Sequence, residues 1–320
     1  MTHPVFPAPR DAPLQALHSP LLDNAGIRLW VKRDDLLHPQ FGGNKWRKLK
    51  YNLIEARQAD HDTLLTFGGA WSNPLYATAA AGHYAGLKTI GIVRGEATPE
   101  LNPTLAFAST CGMQLQYISR EQYRHKTDRR FIDSLEQQYG RFYLIPEGGS
   151  NSLALAGCRE MVEEIQQPFD LICCACGTGA TLAGIISALE PAQQALGFSV
   201  LKGGDFLREE VAHFLQHAHC THADWQIETG YHFGGYARTR PALLQFMHQF
   251  ERQFGITLDC VYTAKLFYGL FDLIRQQAFK PGTRIVAVHT GGLQGNAGFK
   301  DRLAAALAGP PAQKNRGTTD

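Results

Sequence analysis

The sequence predicts an α/β fold of two units, each a three-layer arrangement in which an open twisted sheet of mainly parallel strands carries helices on both faces. Three observations lead there. The chain has 320 residues, enough for about two domains at roughly 150 residues each. Apolar residues make up 44% of it and charged residues 19%, a balance that excludes disordered, collagenous and coiled-coil chains. Short apolar runs alternate with helical patterns from end to end, and 32 glycines suit a fold with many tight strand-to-helix turns. In such folds ligands bind outside the carboxyl ends of the strands, so the chemistry is expected in those turns.

Composition also excludes several partners. The formal net charge of +2 supplies no field to hold a polyanion, so neither nucleic acid nor an acidic membrane surface is expected as a partner. Residues 1–14 contain Pro4, Pro7, Pro9 and Pro13 and lack the basic start and apolar run of a secretory signal. No stretch approaches the roughly eighteen apolar residues of a membrane span, and a cytoplasmic location is expected. Seven cysteines is an odd number, with Cys173, Cys174 and Cys176 in one apolar run; reduced thiols are expected rather than a disulfide framework.

Along the chain, Ile27, Leu29 and Val31 alternate with Arg28, Trp30 and Lys32, which predicts a half-buried strand ahead of the Asp34-Asp35 turn. A helix follows Gly42-Gly43-Asn44. Further strands are expected at 64–67, 89–93, 115–118, 143–145, 171–175, 199–201 and 285–288. In the 171–175 run and its extension, strand alternation puts Cys174 and Cys176 on one face and Cys173 on the other, and a helix is expected over 182–189. Arg124, His125, Lys126, Arg129 and Arg130 form the strongest basic run, but Tyr123, Phe131 and Leu135 are spaced to be buried by a helix, so the charges read as a solvated face. His213, His217, His219, Cys220 and His222 raise the question of a metal, since i, i+4 histidines share a helix face. No second cluster completes a site, and Phe214 and Leu215 make the segment a surface helix end. No metal is expected. The segment 309–320, with Pro310-Pro311 and no apolar pattern, reads as a mobile tail.

Three glycine turns carry candidate chemistry. Gly177, Thr178, Gly179, Ala180 and Thr181 follow an apolar strand and open an apolar helix, where backbone N–H groups and two hydroxyls converge on a point that suits a phosphate ester; a merely tight turn is the plain alternative. Leu182 stands where the dinucleotide fingerprint needs its third glycine, and there is no G-x-x-x-x-G-K-[ST] motif, which argues against NAD and ATP. At Gly42-Gly43-Asn44-Lys45, a lysine at a helix start with Arg47 and Lys48 as neighbours is expected to have a depressed amine pKa. A neutral amine forms Schiff bases, the way pyridoxal phosphate is held; a solvated surface lysine is the alternative. At Gly68-Gly69-Ala70-Trp71-Ser72-Asn73-Pro74 a strand ends and a helix begins, with Ser72 or Asn73 as its cap and Pro74 in its first turn. Both polar side chains would face the same strand-end crevice as the phosphate cup.

Taken together, these turns resemble the fold-type-II pyridoxal-phosphate enzymes, the tryptophan synthase β-like fold, and within them the 1-aminocyclopropane-1-carboxylate deaminases and D-cysteine desulfhydrases. The likeness runs from Lys32-Arg33-Asp34-Asp35 and the stretch ending Lys45-Trp46-Arg47-Lys48-Leu49 to His289-Thr290-Gly291-Gly292. It includes Asp259-Cys260-Val261-Tyr262-Thr263-Ala264-Lys265, similar to the family's D-P-V-Y-[TE]-G-K, and Gly235-Tyr236. The resemblance implies pyridoxal 5'-phosphate as cofactor, with Lys45 as its Schiff-base lysine. Lys48, Asn73, Gly177, Thr178, Gly179, Ala180, Thr181, Thr263 and Thr290 are its implied further contacts. Lys45, Ser72 and Tyr262 are the implied catalytic residues, and Asn44, Ser72, Tyr236 and Tyr262 the implied substrate contacts. It implies a larger domain made of 1–45 plus 150–320, a smaller one of 46–149, a cleft between them, and a homodimer.

The implied activity is a lyase reaction on a small amino acid. Substrate displaces Lys45, the freed amine takes the Cα proton, and the β-substituent leaves, with pyruvate and ammonia following by hydrolysis. Thr263 falls where the family places the partner of the pyridine nitrogen. A neutral hydroxyl keeps that nitrogen protonated less well than a carboxylate does, which favours a good leaving group such as the thiolate of D-cysteine over opening of a cyclopropane. Cyclopropane deamination, racemisation, and a cofactor-binding protein with little catalysis are the alternatives. Pro74 and Trp71 stand where the family has other, polar residues, and the last alternative draws on Pro74 and on the altered residues beside Tyr262.

Overall fold

A computed structural model describes residues 10–308. The proline-rich start and the 309–320 tail lie outside, or largely outside, the described residues. The chain begins with β1 (Leu14–Leu17), α1 (Pro20–Ala25) and β2 (Arg28–Lys32), then α2 (Asn44–Gln58), β3 (Thr63–Gly69), α3 (Asn73–Ala85) and β4 (Lys88–Arg94). It continues through α4 (Pro103–Thr110), β5 (Gln114–Ile118), α5 (Arg120–Arg124), α6 (Arg129–Tyr139) and β6 (Tyr143–Ile145). The remainder is α7 (Ser152–Glu163), β7 (Leu171–Cys176), α8 (Ala180–Ile186), β8 (Gln194–Ser199), α9 (Leu207–His217), β9 (Trp225–Glu228), α10 (Pro241–Phe254), α11 (Thr263–Arg275), β10 (Arg284–Val288) and α12 (Lys300–Ala308).

Two sheets result. Four parallel strands in the order β5-β4-β3-β6 form one, and six strands in the order β1-β2-β10-β7-β8-β9 form the other, in which only the β1-β2 pair is antiparallel. Strands covered on both faces lose the alternating pattern and read as continuous apolar runs, and β7 is buried at every position. Its pleat sends Cys173 into the core shared with α10 and α11, and Cys174 and Cys176 into the opposite core with α7 and α8. All seven cysteines are free thiols.

Helix α2 lies between the sheets and positions the site. A Cβ on Gly157 of α7 would stand 1.9 Å from the Arg47 carbonyl oxygen, so only glycine lets the two helix backbones meet. This contact brings Arg47 to Glu164, just past the end of α7. In a network whose Lys32, Asp34 and Arg47 are buried and whose Glu164 is exposed, Arg47 Nε donates to Asp34 Oδ2 at 3.0 Å and its other nitrogens reach Glu164 at 2.5 and 2.6 Å. Lys32 Nζ completes the network at 3.1 Å from Asp34 and 2.8 Å from Glu164. Ions this deep are stable only when paired on every side, and here the pairing joins the end of β2, α2 and α7 into one rigid corner.

Three expectations need correction. The strand placed at 199–201 is β8, five residues earlier, because Gln194 and Gly197 interrupt the apolar signal of a run whose last three positions are buried. The helix placed over 182–189 is α8, which starts at Ala180 and ends at Ile186; Pro191 disfavours helix in the residue before it. The short strands β1 and β9 were not anticipated: Leu-Gln-Ala-Leu and Trp-Gln-Ile-Glu are four-residue edge strands with little β-branching. The basic run forms two short helices rather than one; Tyr123 and Leu135 are buried and the arginines are exposed, as expected.

Candidate active site

The turn at the head of α2 is the floor of the site. Gly43 has φ +75°, and a Cβ there would lie 2.0 Å from the Thr290 carbonyl oxygen, so the backbone passes where no other residue fits. Asn44 N–H donates to that same carbonyl at 3.3 Å. The end of β10 thus fixes the first turn of α2 and with it Lys45. Two cavities meet at Lys45, one lined by Asn73, Gly291, Gly292 and Gln294, the other by Lys48, Thr178, Gly179 and Tyr262.

On one side lies the glycine turn between β7 and α8. Gly179 adopts φ +79°, and no side chain caps α8, so its first N–H groups remain open to a ligand. A Cβ on Gly177 would stand 3.1 Å from the Tyr262 ring, which makes the turn a floor beneath that ring. Thr178 Oγ1 lies 2.7 Å from Ser150 Oγ, and Lys48 Nζ donates to Ser150 Oγ at 3.3 Å and to the Gly148 carbonyl at 3.2 Å. Two hydroxyls, an ammonium and a glycine turn therefore converge, the donor set an anionic ester needs. The Asn44 amide bridges this cup to the lysine: its Nδ2 donates to Thr181 Oγ1 at 3.0 Å and its Oδ1 accepts from Lys45 Nζ at 3.0 Å.

Lys45 forms no ion pair among the described residues. Burial, and secondarily the charge of Lys48, depress its amine to a pKa of about 7. The sequence argument named Arg47 as a contributor, and the structure corrects this: Arg47 faces the opposite side of α2, where Asp34 and Glu164 neutralise it. Burial also lowers Lys48.

On the other side, Ser72 is the N-cap of α3. Its Oγ accepts from Leu75 N–H at 3.3 Å, and Pro74 sits in the first turn, where a missing N–H costs nothing. A Cβ on Gly68 would lie 2.3 Å from Ser72 Oγ, so the glycine at the end of β3 makes room for the hydroxyl. Asn73 Oδ1 accepts from Gln294, and Asn73 Nδ2 lies 2.6 Å from where a Gly292 Cβ would stand.

The third wall is the head of α11. Asp259 accepts N–H bonds from Val261, Tyr262 and Thr263 at 2.8 to 2.9 Å, and the Thr263 hydroxyl donates to Asp259 Oδ2 at 2.8 Å. With its proton committed and a bond accepted from Asp259 N–H, Thr263 retains one lone pair for a ligand. Beside it in the chain, the Tyr262 ring stands edge to face against that of Tyr236, with centroids 6.1 Å apart. Burial raises both phenols, Tyr262 well above its usual range, so both stay neutral donors.

Of the residues singled out in the sequence, Asn44, Lys45, Lys48, Asn73, Gly177, Thr178, Gly179, Thr181 and Tyr262 line the two cavities that meet at Lys45, whereas Ser72, Ala180, Tyr236, Thr263 and Thr290 lie beside these residues without lining either. Sequence reasoning passed over Ser150, Asp259 and Gln294. Ser150 follows Gly148-Gly149 after β6, a strand-end glycine turn like the other three; Asp259 is a capping residue four positions before a threonine. The histidine segment lies elsewhere: the His213 and His217 rings are tilted at 54° with centroids 4.2 Å apart on the exposed end of α9, and His217 Nδ1 contacts the His213 carbonyl at 2.8 Å. The depression lined by Arg159, His219, Cys220 and His222 shares no residue with the cavities at Lys45.

Comparison with known proteins agrees with this geometry. Residues 5–291 match the model of a family described as pyridoxal-phosphate dependent enzymes. A bifunctional D-cysteine desulfhydrase/1-aminocyclopropane-1-carboxylate deaminase of Arabidopsis thaliana is 32% identical over 92% of this chain and 79% of its own length. A putative 1-aminocyclopropane-1-carboxylate deaminase of Pyrococcus horikoshii is 30% identical over 93% of this chain and 94% of its own. The crystal structure of an ACC deaminase homologue superposes with a TM-score of 0.81 and 28% identity, covering 96% of this chain and 100% of that one.

Proposed function

The chain belongs to the pyridoxal-phosphate-dependent enzyme family and is a lyase of that family, and on that premise we propose that it eliminates the β-substituent of a small amino acid, D-cysteine first among them. The balanced reaction takes D-cysteine and water to pyruvate, ammonia and hydrogen sulfide. The observation that carries the reading is Lys45: an amine without an acidic partner, lowered to about 7, at the junction of an anion cup and a helix start.

The residues present fit the cofactor. Its phosphate would be held by Thr178, Ser150, Lys48 and the N–H groups of Gly179, Ala180 and Thr181, and its ring by Asn73, Tyr262, Thr263 and Thr290. Joined to the substrate amine in place of Lys45, pyridoxal phosphate would supply the electron sink that acidifies the Cα proton. The Lys45 amine, then free, takes that proton, and a pKa near 7 lets it both accept and return one at neutral pH. The α3 N-terminus, with Ser72 as its cap, orients the substrate carboxylate. Tyr262 and Tyr236, held neutral, donate to the departing sulfur. Asn44 aligns the amine with the cup and keeps a second amide N–H for substrate.

Thr263, in place of an acidic side chain, favours a thiolate leaving group over opening of a carbon ring. The domain division at residues 46 and 149, a cytoplasmic location and a homodimeric state extend the same reading. Among the described residues no helix is long and apolar enough to cross a membrane. The test is the visible spectrum of purified protein, beside Lys45→Ala, before and after D-cysteine and then L-cysteine. The expected outcome is a cofactor band in wild type that Lys45→Ala lacks or shifts, perturbed by D-cysteine with release of sulfide and pyruvate. A band that no amino acid perturbs would leave a cofactor-binding protein without this activity.

A further inference from the structure

Lys265 is fully buried, forms no ion pair among the described residues, and lies outside the chemistry above. Its Nζ donates to the Gly235 carbonyl at 2.7 Å and to the Val200 carbonyl at 3.3 Å. Burial lowers its pKa to about 8, against the opposing fields of Asp259 and Cys260. A buried ammonium satisfied only by carbonyls is expensive, so the two carbonyls it reaches are informative.

Gly235 immediately precedes Tyr236. The segment around it is held in unusual backbone: Phe233 (φ +53°), Gly234 (φ +102°), Gly235 (φ +115°) and Ala237 (φ +53°) all lie on the left-handed side. Two of these are not glycine, and such conformations persist only where surrounding contacts impose them. Val200 follows β8, and its N–H donates to the carbonyl of Cys176, the residue before the Gly177 turn. One ammonium therefore ties the Tyr236 segment to the strand end that carries the anion cup. Apart from Lys265, the Gly235 carbonyl accepts only the local bond from Arg238 N–H at 3.1 Å among the described residues.

We propose that Lys265 is a positioning residue of the active site, a buried clamp that holds the strained Gly235 segment so that the Tyr236 hydroxyl stands against Tyr262. This deepens the lyase reading, since it assumes that Tyr236 meets substrate. Lys265 itself touches neither substrate nor cofactor and acts through Tyr236.

The test compares cofactor-loaded wild type, Lys265→Met, Tyr236→Phe and the double variant by amide hydrogen exchange and by sulfide release from D-cysteine. Removing the clamp is expected to speed exchange over 231–240 by about tenfold or more. It is expected to lower kcat/KM about tenfold in the Tyr236 background, yet by less than about threefold when Tyr236 is already Phe, because coupled residues are non-additive. Unchanged exchange over 231–240, or an equal loss in both backgrounds, would overturn the proposal and leave Lys265 a general fastener of the fold. If Lys265→Met does not accumulate folded, Lys265→Gln, with a donor on a shorter stem, replaces it. The exchange measurement does not depend on turnover, so a wild-type protein inactive toward D-cysteine would sink the lyase reading while the clamp is still decided.

Discussion

The two faces of helix α2 use the same residue types in opposite ways. On the back face, Arg47 and Lys32 are matched against Asp34 and Glu164, with short bonds on every side. On the front face, Lys45 is partly buried and Lys48 buried, and they receive carbonyls, hydroxyls and an amide but no carboxylate within ion-pair distance. The difference teaches how one helix supplies both rigidity and reactivity. Pairing fixes the helix by making its cations inert, whereas withholding a partner leaves an amine that gives up its proton near neutrality.

The front face is broken most severely by Lys45→Ala, which is expected to reduce amino-acid turnover by about 10³-fold or more while leaving the far-UV circular dichroism unchanged. On the back face, Arg47→Met leaves buried Asp34 with Lys32 as its one remaining cation among the described residues; urea unfolding is expected to show a loss of about 3 kcal/mol. Lys48→Met removes one cation from the cup without touching the paired corner. It is expected to weaken cofactor binding by about tenfold to a hundredfold, read by titration of the visible band, with little change in unfolding midpoint.

The smallest effect is a contrast in pH dependence. Burial would raise the Glu164 carboxyl, but the bonds from Arg47 and Lys32 outweigh it and hold it down at about 2 against a usual 4.5. Its contribution to stability is therefore present above pH 4.5 and lost as pH falls toward 2. Lys45 has the opposite character: with a folded pKa of about 7 against a usual 10.5, its penalty is full below pH 7 and fades as pH rises toward 10.5, where the unfolded chain binds the extra proton. In cofactor-free protein, Lys45→Met should raise the melting temperature by about 2–4 °C at pH 6 and by less at pH 9. A Glu164→Gln variant should lose the acid-side slope and keep the alkaline one.

How far the sequence reveals these features depends on how local their signals are. The parallel strands β3, β4, β7 and β10 are legible because burial on both faces leaves uninterrupted apolar runs. The edge strands β1 and β9 are not, because four residues at a sheet margin are too few to establish a period, and Ile227 is the one β-branched side chain the two strands carry. Gly43, Ser72 and the Gly177-Gly179 turn declare themselves through residue types that local backbone geometry demands. The depressed amine at Lys45 is legible, but its cause is not. Adjacent in sequence, Arg47 and Lys48 lie on different faces, and only the meeting of α2 with α7 at Gly157 shows which one matters. Lys265 is thirty residues from the carbonyl it clamps, and no pattern along the chain says which oxygen a buried ammonium will find.

The last strand of the fold occupies the middle of its sheet. β10 lies between β2 and β7, and the carbonyl against which Gly43 turns belongs to Thr290, just beyond it. On a ribosome, every element from β1 to α11 has been made before that strand exists. Until then β2 and β7 have no strand between them, and the first turn of α2 lacks the Thr290 carbonyl against which it is set. A growing polypeptide therefore has no formed site in which to capture a reactive aldehyde, and a product truncated before the last strand lacks the site altogether.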